Sequence, residues 1–191
     1  MQLIPFGKGF DRDLATNYYD NIHKDRKKRK SFLEAMKTFI PKIEEIQVDT
    51  NNGDIDIYED DEYPSALHQY GEGANKLFRI LVQITLQEDK KLLIDEIDAG
   101  IHYSHFFEFW KIILEVAKEY KVQIFATTHN LECLEHFKNI LENESFINYQ
   151  ELSRTITLRE LSNGKKKAYT RTFEEFEYEL NSKLEIRGGK Y

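Results

Sequence analysis

The segment Leu92-Leu93-Ile94-Asp95-Glu96 passes from a short apolar run straight into two adjacent carboxylates. A continuous apolar run of this length is the pattern of a strand buried on both faces of a parallel sheet. Acids at the end of such a strand are costly to place unless they act on a cation or a water. Successive strand residues point to opposite faces, so Asp95 and Glu96 are expected to divide two jobs. One carboxylate would face a hydrated Mg²⁺ and the other would polarise a water. The alternative is a pair of solvated acids at a strand end. A second apolar run, Val122 to Thr127, ends at Thr128-His129. A neutral imidazole there could hydrogen-bond a phosphate oxygen or orient a water, or serve as a satisfied polar group with no chemistry. The third feature is Tyr70-Gly71-Glu72-Gly73, just ahead of a helical pattern. Free N–H groups and the helix dipole favour anions at such an end, although Gly-x-Gly before a helix is a weak signal by itself.

The elements that position these residues can be read from hydrophobic spacing. Phe106, Trp110, Ile113 and Ala117 form a helical stripe between the two apolar runs. Strand, helix, strand in that order is a parallel crossover, which places Asp95 and His129 at carboxyl ends of strands, where open α/β sheets bind ligands. Leu77, Ile80, Leu81 and Ile84 put one apolar face on the helix after Gly73. Asp11 to Ile40 reads as two helices, with Leu14, Tyr18 and Ile22 on one and Leu33, Met36 and Ile40 on the other, closed by Pro41. Between them runs Lys24-Asp25-Arg26-Lys27-Lys28-Arg29-Lys30, either a solvated helix face or a phosphate-contacting patch. Ile46 and Val48, then Ile55 and Ile57, alternate around Asn51-Asn52-Gly53, a hairpin signal. The same stretch is not a calcium loop, because its glycine and its final acid fall at the wrong positions. Thr155 to Leu158 and Lys167 to Tyr169 flank Asn163-Gly164 as an antiparallel pair. A last helix starts at Thr172, with Glu175 completing a capping box and Phe173, Phe176, Leu180 and Leu184 buried. The expected fold class is therefore α/β, with parallel core strands, added antiparallel strands and a helical lobe at 11–45 within a single domain, 1–191.

Composition narrows the class without naming a function. The 191 residues carry 27 Lys+Arg against 34 Asp+Glu, a net charge of −7. An acidic chain has no general pull towards nucleic acid, so binding there would need the local patch at Lys24–Lys30. One cysteine, Cys133, rules out an internal disulfide and agrees with a cytoplasmic, reducing setting. The N-terminal Met1-Gln2-Leu3-Ile4-Pro5 shows no secretory leader, and no uninterrupted apolar run is long enough to span a membrane. His102 and His105 stand three apart, but nothing in the sequence fixes a third zinc ligand beside them.

Together these motifs resemble one family. Asp95-Glu96 looks like the Walker B pair of ABC-type ATPase heads, the class that includes the SMC and RecF DNA-repair proteins. Ile97 to His102 matches their D-loop, Thr127-Thr128-His129 their switch histidine, and Gly71-Glu72-Gly73 their signature loop. The order and wording of Asp95 to His102 and Gln123 to Cys133 are most similar to bacterial AAA-type ATPases related to abortive-infection and overcoming-lysogenisation-defect proteins, with Glu185-Ile186-Arg187 matching their C-terminus. The resemblance covers about Asp11 to Arg187 and implies a P-loop NTPase fold, ATP and Mg²⁺ as ligands, and a place in phage defence. It implies that Asp95 holds Mg²⁺ through its water shell, that Glu96 activates the attacking water, and that His129 contacts the γ-phosphate. Gly71 and Gly73 would offer N–H groups to a nucleotide on a partner subunit, with Glu72 between them. Asp98 would contact that partner.

The phosphate-cradling G-x-x-x-x-G-K-[ST] of such ATPases is absent. Gly7-Lys8-Gly9 has the wrong spacing, and Asn163-Gly164-Lys165-Lys166 lacks the first glycine and the hydroxyl. Gly71 stands where related heads usually carry serine, and Ala99 where asparagine is common. The reading is the C-terminal half of an ABC-type head, a partial P-loop NTPase, inactive alone. It would work as a homodimer or with a complementary N-terminal half that brings the missing loop, and with an effector protein as a further partner. Two alternatives stand beside it: a catalytically inactive, partner-binding remnant, and a Toprim-like phosphoesterase using Asp95, Glu96 and Asp98 with two Mg²⁺. An exposed sheet edge or a cavity is expected where N-terminal strands would lie.

Overall fold

In the computed structural model, residues 2–4, 12–49, 53–60 and 63–190 are described. Gly7-Lys8-Gly9, Asn51 and Asn52 lie outside them, as do Met1 and Pro5 of the N-terminal segment. The chain divides into two units, Met1–Thr127 and Thr128–Tyr191. The first runs β1 (Gln2–Ile4), α1 (Arg12–Tyr18), a π-helical turn (Tyr19–His23), α2 (Arg26–Met36), β2 (Glu45–Val48), β3 (Ile55–Tyr58), β4 (Ser65–Ala66), a 3₁₀ turn (Leu67–Tyr70), α3 (Gly71–Leu86), β5 (Lys91–Ile94), a 3₁₀ turn (Tyr103–His105), α4 (Phe106–Glu119) and β6 (Gln123–Ala126).

The central sheet is parallel, in the order β1-β5-β6, with Ile4 opposite Ile94 and Ile94 opposite Ala126. Leu92 and Ile94 are fully buried, as the apolar run requires. The mixed α/β class and the parallel crossover β5–α4–β6 follow the sequence reading. The burial of β6 does not. Ile124 is half-buried and Phe125 is 43% exposed. Among the described residues β6 is the outer strand of its sheet, so its far edge has no pairing strand.

α3 is the hub of this unit, packing on α1, α2 and α4. Its apolar face buries Leu77, Phe78, Ile80, Leu81 and Ile84 completely. Phe78 meets Phe32 edge-on at 4.9 Å and Tyr18 at 5.1 Å, an aromatic cluster in which dispersion and quadrupole terms both favour contact. Burial pushes the Tyr18 hydroxyl far above the usual phenol range. All four stripe residues of α4 are buried. α2 differs from its expected register, since Phe32 and Met36 carry the buried face and Leu33 is half-buried. It also ends at Met36, well before Pro41, as Phe39 and Ile40 turn back onto the Met36 carbonyl. Most of the basic run lies inside α2 and not between helices. Asp25 caps that helix by accepting the Lys27 and Lys28 N–H bonds, which hold its carboxyl below the usual range. The hairpin forms as expected, β2 pairing antiparallel with β3 and Gly53 at φ 81° closing the loop onto Asp49.

The second unit holds α5 (Leu131–Glu142), a 3₁₀ turn (Ile147–Tyr149), β7 (Thr155–Glu160), β8 (Lys166–Arg171), α6 (Phe173–Asn181) and β9 (Gly189–Lys190), in a sheet ordered β8-β7-β9. Gly164 turns at φ 75°, and the capping box at Thr172 and Glu175 is formed on both sides. Leu184 lies beyond the end of α6 and is 51% exposed, contrary to expectation, because the helix stops at Asn181 and Lys183 turns at φ 55°. The sheet is patterned inside out. Ile156 and Leu158 are exposed, while Thr157 and Arg171 are buried and bonded to each other at 2.9 Å, with Arg171 paired to Glu179. A buried cation is tolerable only when bonded in this way. No helix among the described residues is long and apolar enough to cross a membrane.

The expected outcome of Phe78→Ala is a loss of about 3–5 kcal/mol from the first unit, read as a lower denaturant midpoint by circular dichroism.

Candidate functional site

The acid pair sits where the chain leaves β5. The strand ends at Ile94, and the Asp95 N–H donates to the Ile4 carbonyl at 3.0 Å, so the last inter-strand bond runs to β1. Glu96 then turns at φ 45°, a left-handed conformation that is uncommon for a residue with a Cβ. Strand alternation therefore does not separate the two carboxylates, as the sequence suggested; a tight turn does.

Thr127, just past β6, ties the turn together. Its N–H donates to the Ile94 carbonyl at 3.0 Å, continuing the ladder between β5 and β6. Its hydroxyl accepts the Glu96 N–H at 2.8 Å and donates to Asp95 Oδ1 at 2.7 Å. Its carbonyl accepts the Ile97 N–H at 2.9 Å. One hydroxyl thus fixes one oxygen of Asp95 and leaves Oδ2 without a protein partner among the described residues. Lys76, from α3, donates to the Glu96 carbonyl, which also accepts the Ala99 N–H. In the sequence Thr127 reads only as part of a histidine motif, and Lys76 carries no role. A hydroxyl at a parallel-strand terminus was the available signal for the first. None pointed to the second.

The glycine loop forms the first turn of α3. Gly71 stands at φ 84° with no atom within 4 Å of where a Cβ would sit, and the Asn75 side chain donates to its carbonyl at 2.7 Å. Glu72 and Gly73 pack directly on the segment after the acid pair. A Cβ on Gly73 would lie 3.2 Å from the Gly100 carbonyl, and one on Gly100, itself at φ 78°, would lie 2.8 Å from the Glu72 Cβ. The structure thus brings Gly71–Gly73, the acid-pair turn and the Asp98–Gly100 loop into one connected neighbourhood of the first unit. Asp95, Glu72 and Gly71 are exposed there, and Glu96 and Asp98 half-buried.

His129, the second residue of the second unit, is exposed. Asn130, next to it, caps α5 by accepting the Glu132 and Cys133 N–H groups. His102 accepts the Ser104 N–H within its own turn, and His105 lies against the Phe39 ring at 5.1 Å. Among the described residues no three His, Cys, Asp or Glu side chains group as a metal cluster. The donor set at Asp95, one carboxylate oxygen not bonded to Thr127, fits a hydrated Mg²⁺ held through its water shell.

A solved chain from a study of ATP-driven dimerization and DNA-stimulated activation of SMC ATPases superposes with TM-score 0.51 at 14% identity, covering 90% of this chain and 96% of that one. An SMC head bound to the C-terminal winged-helix domain of ScpA gives 0.53 at 13% identity, covering 92% and 57%. The fold is accordingly that of the SMC ATPase heads, a P-loop NTPase fold. An ATP/GTP phosphatase of Helicobacter pylori is 26% identical over 113 residues, 58% of this chain, and the match spans 30% of that protein's length. Residues 8–134 match the AAA ATPase domain family, and the chain belongs to that family.

Proposed function

We propose that the chain is the acid-pair and glycine-loop part of an ABC-type ATPase head, and that it hydrolyses ATP only with a phosphate-cradling lysine and hydroxyl supplied from outside these 191 residues. The observation that carries this reading is the turn in which Thr127 orients Asp95 and Glu96 at the carboxyl ends of parallel β5 and β6. Asp95 Oδ2 would hold the water shell of Mg²⁺, the ion that supplies charge neutralisation on the phosphates when bound. Glu96 would accept a proton from the attacking water, and His129 would contact the γ-phosphate. The free space around Gly71 supports close approach of a partner-bound nucleotide to the N–H groups of Gly71 and Gly73, beside Glu72, with Asp98 facing that partner. That partner would be a second copy or a complementary half, and residues 1–191 would act as one functional module. The fold shared with a solved SMC ATPase chain, of which 96% is covered, agrees with this reading.

The purified chain is expected to show no steady ATP hydrolysis. Mixing it with a chain carrying G-x-x-x-x-G-K-[ST] restores turnover, and Glu96→Gln then lowers kcat by on the order of 100-fold or more. Turnover by the chain alone, abolished by Glu96→Gln, would overturn the need for a partner. Failure of every mixture would favour an inactive, partner-binding role. The phosphoesterase alternative has less support, because no acidic cluster forms among the described residues and Glu72 sits in the first turn of a helix. Mg²⁺-dependent nicking of a plasmid without ATP would revive it.

We also propose that α2 contacts nucleic-acid phosphates. Its first turn carries Arg26, Lys27, Lys28 and Arg29 and no acid, against the sign its dipole prefers. Arg26, Lys27 and Lys30 share its exposed face and have no ion pair among the described residues. Tyr19 stands next to the run, stacked on His23. The helix's apolar face is already buried on the core, which leaves nothing to insert into a lipid surface. Binding of duplex DNA, followed by fluorescence anisotropy, should weaken on changing Arg26, Lys27 and Lys30 to Glu. The log–log salt slope should flatten by about 2.7, the value for three phosphate contacts. Unchanged affinity would refute it.

A further inference from the structure

Glu96 is held at both ends of its own backbone. Its N–H is bound by the Thr127 hydroxyl on the sheet side, and its carbonyl by the Lys76 ammonium on the α3 side. Between those two bonds the residue adopts φ 45°, which an L residue rarely adopts unless its surroundings impose it. The Ala99 N–H takes the remaining lone pair of the carbonyl, so both acceptor positions are used. Lys76 lies on the same rigid helix that begins with Gly71 and whose Asn75 pins the Gly71 carbonyl. A charged donor is stronger than a neutral one, and here it reaches across 20 residues of sequence to a main-chain oxygen, independent of the side chain at position 96.

We propose that Lys76 is the positioning residue of this site: from α3 it holds the backbone of Glu96 in the left-handed turn, so that the glycine loop and the carboxylate are set by one helix. The role in hydrolysis rests on the function proposed above, but the clamp itself does not. Lys76 acts on the site through its bond to the Glu96 main chain.

Two measurements separate the questions. In the full chain without nucleotide, amide exchange followed by NMR should show the Glu96 N–H exchanging about tenfold faster or more in Lys76→Met, the size expected for loss of a charge-assisted bond. Leu92 to Ile94 should keep their rates, and Lys76→Arg, which still donates, should restore protection. Thr127→Val, cutting the opposite end, should speed the same amide. If Lys76→Met does not fold, Lys76→Gln, too short to reach, is expected to give the same acceleration. An unchanged Glu96 rate in a folded variant overturns the proposal. In the complemented ATPase, Lys76→Met should lower kcat with KM for ATP held, and Lys76→Arg should recover it. Equal loss in kcat and KM without rescue by Arg would mean a general structural role. If the wild-type mixture hydrolyses nothing, the proposed function falls while the exchange result still judges the clamp.

Discussion

A single hydroxyl, that of Thr127, joins the two strands on which the candidate chemistry depends. It accepts from the Glu96 main chain and donates to the Asp95 carboxylate, so the two acids are oriented by one group. That arrangement depends on register. With Ile94 opposite Ala126, the residue after each strand end meets the other across the gap. A slip of one residue would turn every β6 side chain to the other face and carry the Thr127 hydroxyl away from the Glu96 N–H. Leu92 and Ile94, two residues apart on one fully buried face of β5, hold the register, because a one-residue shift would turn them to the less buried face that Leu93 now occupies.

Helix α3 is the second fixed reference. Its apolar face is packed by aromatic rings from α1 and α2 and by α4, so the helix moves as a body with the core. Its first turn presents the glycines, its second turn presents Lys76, and its N-terminal residues lean on the loop after the acid pair. The site is thus a set of loops seated on one strand pair and one helix, with the backbone placed by main-chain and charge-assisted bonds and not by exposed ion pairs, which contribute little.

What the sequence revealed was what repeats. The stripes of α3 and α4, the alternation of β2 and β3, the turn at Gly164 and the capping box at Thr172 all follow from spacing, and each formed. The acid pair was found because carboxylates after an apolar run are conspicuous. The missed features depend on distant partners. The left-handed turn at Glu96 is imposed by Lys76 and Thr127, 20 and 31 residues away, and nothing about Glu96 itself foretells it. The exposure of Phe125, on the outer strand of its sheet, is not signalled by its apolar composition. The inverted sheet of the second unit defeats alternation outright, since Arg171 is kept inside by Thr157 and Glu179 while Ile156 faces out. The basic run reads from the sequence as lying between two helices, because its charge hides the Asp25 cap that starts α2 within it.

The contact between Gly100 and Glu72 has a consequence for how such a chain can drift under mutation. Any side chain at position 100 must enter a left-handed backbone and strike the Glu72 Cβ, so the two positions cannot vary independently. A glycine at 72 would relieve the clash but not the backbone, which still asks for a residue without a Cβ. Glycine at 100 is therefore held twice over, by its dihedral and by the neighbour it faces, at the point where two loops touch.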